Sequence, residues 1–154
     1  MMSEKTPEQL RKEWVMTMLY GSGKNINELV ENGCRVMVFG IEYEDFIKTL
    51  VTLKDEGYIS IPPNVGNPCT LTTQGIFFMK KYTLLPLVKL TEQPGLLNTF
   101  INENKSRCNT DFLVTLSKEN SEDGKIAYIK AFAQQNYLDI AKIISFISRY
   151  LNLP

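Results

Sequence analysis

Residues 46–75 constrain the fold of this chain more than any other stretch. They read FIKTLVTLKDEGYISI from Phe46 to Ile61, PPNVGNP from Pro62 to Pro68, and CTLTTQG from Cys69 to Gly75. The order is an amphipathic helix, a glycine stop, a short apolar strand, a turn rich in Pro, Asn and Gly, a returning strand and a new helix start. Phe46, Leu50 and Leu53 share one stripe between Glu42 and Glu56, and Gly57 stands where a helix C-terminus takes glycine. Glu42, Glu44 and Asp45 fill the first turn, where the helix dipole favours acidic groups. Tyr58 to Ile61 alternates as a strand, and Cys69 to Leu71 returns. Thr72 is placed to cap a helix that begins near Thr73 and carries Ile76, Phe77, Met79 and Tyr82. The fold class is therefore mainly α with a small β-hairpin.

The flanking sequence adds helices on both sides. Thr6-Pro7-Glu8-Gln9 supplies an N-cap, a proline at the first helical position and the glutamine of a capping box. Leu10, Trp14, Thr17 and Met18 then share one face, and Gly21-Ser22-Gly23 ends the helix. A second helix opens at Asn25, with Glu28 three residues on and Ile26, Leu29, Val30, Met37 and Ile41 as its buried side. Glycine costs a helix interior about 1 kcal/mol relative to alanine, so Gly33 leaves two endings open, at Asn32 or near Val38. The longer form places a tight turn at Phe39-Gly40-Ile41.

Pro86 and Pro94-Gly95 make 83–95 a connection with a short apolar piece. Leu96, Leu97, Phe100 and Ile101 predict one short helix; Phe112, Leu113 and Leu116 predict another. After a loop at Ser121-Glu122-Asp123-Gly124, apolar residues recur at three- and four-residue steps from Ile126 through Tyr137 to Leu151. A helix over 124–151 would run about 40 Å, longer than a small domain's own core requires. An apolar face must be buried somewhere: packing back on its own domain would satisfy part of the stripe and pairing with a second subunit all of it, so the length favours a homodimer joined through the C-terminal helices.

With 154 residues, 44% of them hydrophobic and 22% charged, the chain has the composition of a globular protein able to bury a core without metals or disulfides. No secretory leader is evident at the N-terminus and no run of 18 apolar residues occurs, so the expectation is an intracellular, cytoplasmic protein that does not enter membranes. Cys34, Cys69 and Cys108 are odd in number and widely spaced, and the chain has no histidine. Neither a disulfide framework nor a zinc site is indicated.

The missing histidine also removes the commonest general base and the usual Ser/His or Cys/His nucleophile arrangements. Gly21-Ser22-Gly23-Lys24 falls short of a phosphate loop, because Met18 stands where glycine is needed and Asn25 where Ser or Thr is needed. Carboxylate pairs such as Glu42 with Asp45, or Asp55 with Glu56, read as solvated helix surface. Asn104-Lys105-Ser106 fits a glycosylation sequon, which has no consequence without export. No enzyme activity, cofactor or metal is expected.

Residues 27–75 together resemble the winged helix-turn-helix superfamily. The resemblance rests on the turn Phe39-Gly40-Ile41, the Leu50-x-x-Leu53-x-x-x-Gly57-x-Ile59 pattern and Leu71-Thr72-Thr73-Gln74-Gly75. It covers the central third of the chain, and the helical C-terminal extension is similar to that of MarR-like or PadR-like regulators. The resemblance implies a winged-helix domain over 1–82 and a dimerising helical extension over 83–154. It would put residues 42–52 in the major groove of double-stranded DNA, with Tyr43, Ile47, Lys48 and Thr52 reaching base or backbone. Asn64, Val65, Gly66 and Asn67 would form the wing tip beside the adjacent backbone. A dimeric transcriptional regulator is the function so implied.

Charge argues the other way. The 17 basic and 17 acidic residues cancel, and division after Tyr82 leaves neither half basic. The wing holds no Lys or Arg, and Lys48 and Lys54 are the only basic residues between Val36 and Met79. Phosphate neutralisation supplies most non-specific affinity for DNA, so the salt slope would be small. Lys24, Arg35, Lys80 and Lys81 could add to it. The alternative is the same scaffold as a protein-interaction module presenting Glu42, Tyr43, Glu44 and Asp45. A small-molecule sensor is a third reading, with no convergent polar group to mark its pocket.

Overall fold

A computed structural model describes residues 6–35, 43–147 and 150–151. The chain is mainly helical with one two-stranded antiparallel sheet. In order come α1 (Pro7–Leu19), α2 (Ile26–Arg35), α3 (Tyr43–Asp55), β1 (Ile59–Ser60), β2 (Thr70–Leu71), α4 (Thr73–Met79), a π-helical segment (Lys80–Leu84), α5 (Leu85–Thr91), α6 (Pro94–Asn104), α7 (Thr110–Ser117) and α8 (Glu122–Ile147).

Local capping chemistry sets most of the helix starts. Gln9 N–H donates to Thr6 Oγ1 at 3.2 Å while Thr6 N–H donates to Gln9 Oε1 at 2.8 Å, so the expected capping box is closed. Asn25 Oδ1 likewise accepts from Glu28 N–H at 2.9 Å to open α2. α2 continues through Gly33 to Arg35, past the earlier of the two endings considered. The reason is steric: a Cβ on Gly33 would lie 2.1 Å from the Phe46 ring, so only a bare backbone lets α2 and α3 approach this closely. Met37, the turn Phe39-Gly40-Ile41 and Glu42 lie outside the described residues.

α1 is the centre of the molecule. The sequence marks a single apolar face, yet every residue from Glu13 to Leu19 is buried, because α2, α3, α4 and α8 all pack against it. Trp14 is fully enclosed, edge-on to Phe46 at 5.9 Å, and its indole N–H donates to the Ala133 carbonyl of α8 at 2.8 Å. Phe46, Leu50 and Leu53 join the same core, with Leu71 packed partly buried against it.

One expectation fails in the C-terminal half. The predicted connection over 83–95 is helical as far as Thr91, and residues 82 and 83 fall inside the π-helical segment. Pro86 has no N–H and its ring would strike the carbonyl four residues back in a regular α-helix. The widened turn, in which Leu85 N–H reaches five residues back to Lys80 O, carries the chain around that obstacle without leaving the helical region. The expected long last helix is present over Glu122–Ile147 and is bent at Asn136, where φ is −130° and ψ is 35°.

The apolar stripe of α8 is spent inside the chain. Ile129, Ala133, Tyr137, Ile140, Ile143 and Ile147 are fully buried, with α1, α5, α7 and the π segment packed on this helix. The length argument for subunit pairing through α8 therefore loses its premise.

Candidate nucleic-acid interface

The surface made by α3 and the hairpin is built on hydrogen bonds between neighbours in sequence. α3 ends with Gly57 N–H donating to Lys54 O at 3.0 Å and Tyr58 N–H to Leu53 O at 2.9 Å, with Gly57 at φ +86°. This is the Schellman pattern of a helix C-terminus. It delivers the chain directly into β1, which pairs with β2 in the register Ile59 with Leu71 and Ser60 with Thr70.

Thr72 then closes the unit. Its hydroxyl donates to Gly57 O at 2.6 Å and accepts from Gly75 N–H at 3.1 Å, while its own N–H donates to Tyr58 O at 3.0 Å. A Cβ on Gly75 would sit 2.2 Å from that same Tyr58 oxygen. The Thr72 and Gly75 of the Leu-Thr-Thr-Gln-Gly run are thus the two residue types this junction can use: a hydroxyl that bridges the helix stop to the next helix start, and a residue with no side chain beside a carbonyl.

The inner side of α3 is fixed by Phe46, Thr49, Leu50 and Leu53. Arg11 Nε donates to Thr49 Oγ1 at 3.2 Å, and Lys12 pairs with Glu56 at 2.9 Å. Of the sequence-predicted contact residues, Tyr43 (57% exposed) and Lys48 point outward. Ile47 is half-buried and packs on the core, and Thr52 is half-buried with its hydroxyl donated to Lys48 O at 2.9 Å. Thr52 is left with acceptor capacity only. Val51, not foreseen, is 46% exposed and lines up with Tyr43 and Ile47 at four-residue steps.

At the hairpin tip Asn64 and Asn67 are both exposed. Asn64 Oδ1 accepts from Gly66 N–H at 2.9 Å and Asn64 O accepts from Asn67 N–H at 3.0 Å, so the Asn64 side chain holds the turn and Asn67 keeps its amide free of local duty.

One cation enters that spacing could not place. Lys24 and Cys69 exchange backbone hydrogen bonds of 3.2 and 2.8 Å, bringing the loop between α1 and α2 alongside the returning strand. Lys130 of α8 donates to Tyr20 O at 2.7 Å and to Ser22 Oγ at 3.2 Å, and its pKa is lowered first by burial and then by the charge of Lys24. Burial raises the thiol pKa of Cys69 and of Cys108, which makes them poor nucleophiles. The side chain of Cys34 lies outside the described residues.

A second exposed cluster lies on α4 and the π segment, where Ile76, Phe77 and Tyr82 were expected to be apolar helix positions. Only Met79 of that set is buried; Phe77 is 63% and Tyr82 43% exposed. Lys81 Nζ stands 5.7 Å from the Phe77 ring centre and 5.4 Å from that of Tyr82. Behind it, Phe78 packs between Tyr58 at 5.4 Å and Tyr82 at 5.0 Å.

Among the described residues no group of three potential metal ligands converges, and no helix is long and apolar enough to cross a membrane. Known protein families, curated proteins and solved structures yield no match to this chain.

Proposed function

We propose that this chain is a winged-helix DNA-binding protein that acts as a transcriptional regulator in the cytoplasm. One observation supports the reading: the Schellman turn runs α3 directly into β1, and Thr72 bridges that helix stop to the start of α4, so helix and hairpin are held as one unit. The order α1, bridged loop, α2, α3, hairpin is the order a winged helix uses, and its helix enters a major groove while the hairpin lies on the backbone. Tyr43, Ile47, Lys48 and Thr52 would face the groove, and Asn64 and Asn67 the adjacent phosphates. Lys24, at the base of the hairpin, would add a cation.

Two or three phosphates per subunit are few, so the regulator would act as a homodimer. Pairing through the C-terminal helices would have to use residues outside the buried stripe, such as the exposed Leu138 of α8.

Fluorescence anisotropy of the full chain with labelled random duplex DNA tests the reading. Each neutralised phosphate contributes about −0.9 to the slope of log K against log salt, so about −2 to −3 per subunit is expected. Lys48→Glu should lower both the affinity and the slope. Binding that ignores salt and Lys48 would remove the proposal.

A second reading has its own observation. The outward side of α3 carries exposed Tyr43 and Val51, with half-buried Ile47 between them, beside exposed Glu44 and Asp45, a composition suited to a protein partner and repelled by phosphate. A chain that binds no DNA at low salt but loses a protein partner on Tyr43→Ala would be this interaction module.

A further inference from the structure

Five of the eight exposed large apolar side chains among the described residues fall on two helix faces of opposite charge. The first face belongs to α3: Tyr43 and Val51, with Glu44 and Asp45 in the first turn and no basic residue before Lys48. The second belongs to α4 and the π segment: Ile76, Phe77 and Tyr82, with Lys80 and Lys81 between them. From Gly57 to Thr91 the chain holds three lysines and no acidic residue, so nothing on that run neutralises the second face locally.

The π segment is what assembles the basic face. Residues five apart diverge by roughly 140° on a regular α-helix, which would point Phe77 and Tyr82 in different directions. The wider turn between Lys80 and Leu85 reduces that divergence, and one ammonium, Lys81 Nζ, lies within 6 Å of both ring centres. Two aromatic rings and the Lys81 ammonium thereby face one way, with exposed Lys80 one residue before it.

We propose that these two faces are the halves of one interface between copies of this chain: the acidic first turn of α3, with Tyr43, in one copy docks on the Phe77, Lys81 and Tyr82 face of another. Charge excludes the simpler symmetric pairings. Two α4 faces set against each other would oppose four lysines, and two α3 faces would oppose four carboxylates, both unfavourable. Only the crossed pairing brings carboxylates to ammonium groups while covering apolar surface on both sides. When the contact is made in both directions it closes a twofold dimer, in which α3 meets the partner's basic face and the reverse. The inference does not depend on DNA binding; it depends on these two faces alone.

Analytical ultracentrifugation of the full chain over a wide concentration range tests it, at low and at high salt. Association that weakens with salt is expected. K80E/K81E and E44K/D45K should each weaken it by roughly tenfold or more, and mixing the two variants in equal amounts should restore a complex, because each supplies the charge the other has inverted. Circular dichroism checks that each variant is folded; if the double charge reversals are not, Phe77→Ser and Tyr43→Ser take their place, with the same loss expected. A chain that stays monomeric at every concentration overturns the proposal. So does an oligomer insensitive to both reversals, or a mixture that fails to re-associate.

Discussion

The hairpin junction and the α1–α8 core are held together by different physics. Between Leu53 and Gly75 the geometry is set by backbone groups and one hydroxyl: the two bonds of the Schellman turn, the short ladder of β1 and β2, and Thr72 spanning Gly57 O and Gly75 N–H. The core around α1 is set by volume, with Trp14, Phe46, Phe100, Phe112 and Tyr137 fully enclosed among branched aliphatics. Hydrogen-bonded junctions specify direction and fail through lost angles. Packed cores specify cohesion and fail through cavities. This chain uses the first kind where α3 meets the hairpin and the second kind beneath them.

The largest effect should come from breaking the core where the two halves join. Trp14 is the chain's one tryptophan, touches Phe46 of α3 and donates to Ala133 of α8. Trp14→Ala removes a fully buried ring and should cost about 3–5 kcal/mol in chemical denaturation. Trp14→Phe keeps most of the volume but leaves the Ala133 carbonyl without this donor, and should cost less, about 1–3 kcal/mol. If the alanine variant loses under about 1 kcal/mol, α1 is not the shared core on which both halves rest.

A smaller and more local loss is expected at the junction. Gly75→Ala sets a methyl 2.2 Å from Tyr58 O, so either β1 or the start of α4 must move. Overpacking of this kind costs about 1–3 kcal/mol. Hydrogen exchange should be faster at the Thr72 and Gly75 amides while Trp14 fluorescence keeps its native maximum, which separates a loosened junction from a damaged core. Uniform acceleration throughout the chain would show that junction and core are one cooperative unit, and the contrast between them would collapse.

This division also decides what could be read from the sequence. The caps at Thr6, Asn25 and Thr72 and the stop at Gly57 involve partners within a few residues, so their spacing announces them. The hairpin followed for the same reason. The Lys24–Cys69 bridge joins residues remote in sequence, and no local pattern marks it. Pro86 read as a breaker because the rule for proline assumes a regular α-helix; the π turn before it satisfies the geometry another way. Amphipathic periodicity records one partner, and α1 packs against four helices and β2, so its full burial is not legible in the pattern. Among the candidate contact residues, Tyr43 and Lys48 are outward, whereas Phe77 and Tyr82, ordinary apolar positions of a helix by periodicity, are exposed. Periodicity shows that a helix has an apolar side and cannot show whether anything covers it.

The smallest stability change tests the core from its one polar irregularity. Tyr137 lies fully buried just past the Asn136 bend, and Thr83 of the π segment is equally enclosed. The hydroxyls of Thr17 and Thr83 stand beside Tyr137 Oη, yet neither Tyr137 Oη nor Thr83 Oγ1 finds a hydrogen-bond partner. Thr17 gives its one hydroxyl proton to Glu13 O at 2.8 Å and so cannot donate to Tyr137 Oη. Tyr137→Phe removes a buried hydroxyl that satisfies nothing, so it should be neutral or stabilise by up to about 1 kcal/mol, in contrast to the loss that most core substitutions cause. Alkaline pH makes the contrast sharper. Burial, and then the charge of Glu13, raise the Tyr137 pKa well above the ordinary 10.0. The unfolded chain therefore loses this proton near pH 10 while the folded chain keeps it. The unfolded state then binds fewer protons, so this group's share of stability is intact below about pH 10 and drains away as pH rises further. In Tyr137→Phe that share of the alkaline loss should vanish, read as a flatter decline of the denaturation midpoint above pH 10. If the substitution instead costs about 2 kcal/mol at neutral pH, the hydroxyl has a partner after all, and the packed core contains a polar anchor of the kind that holds the hairpin.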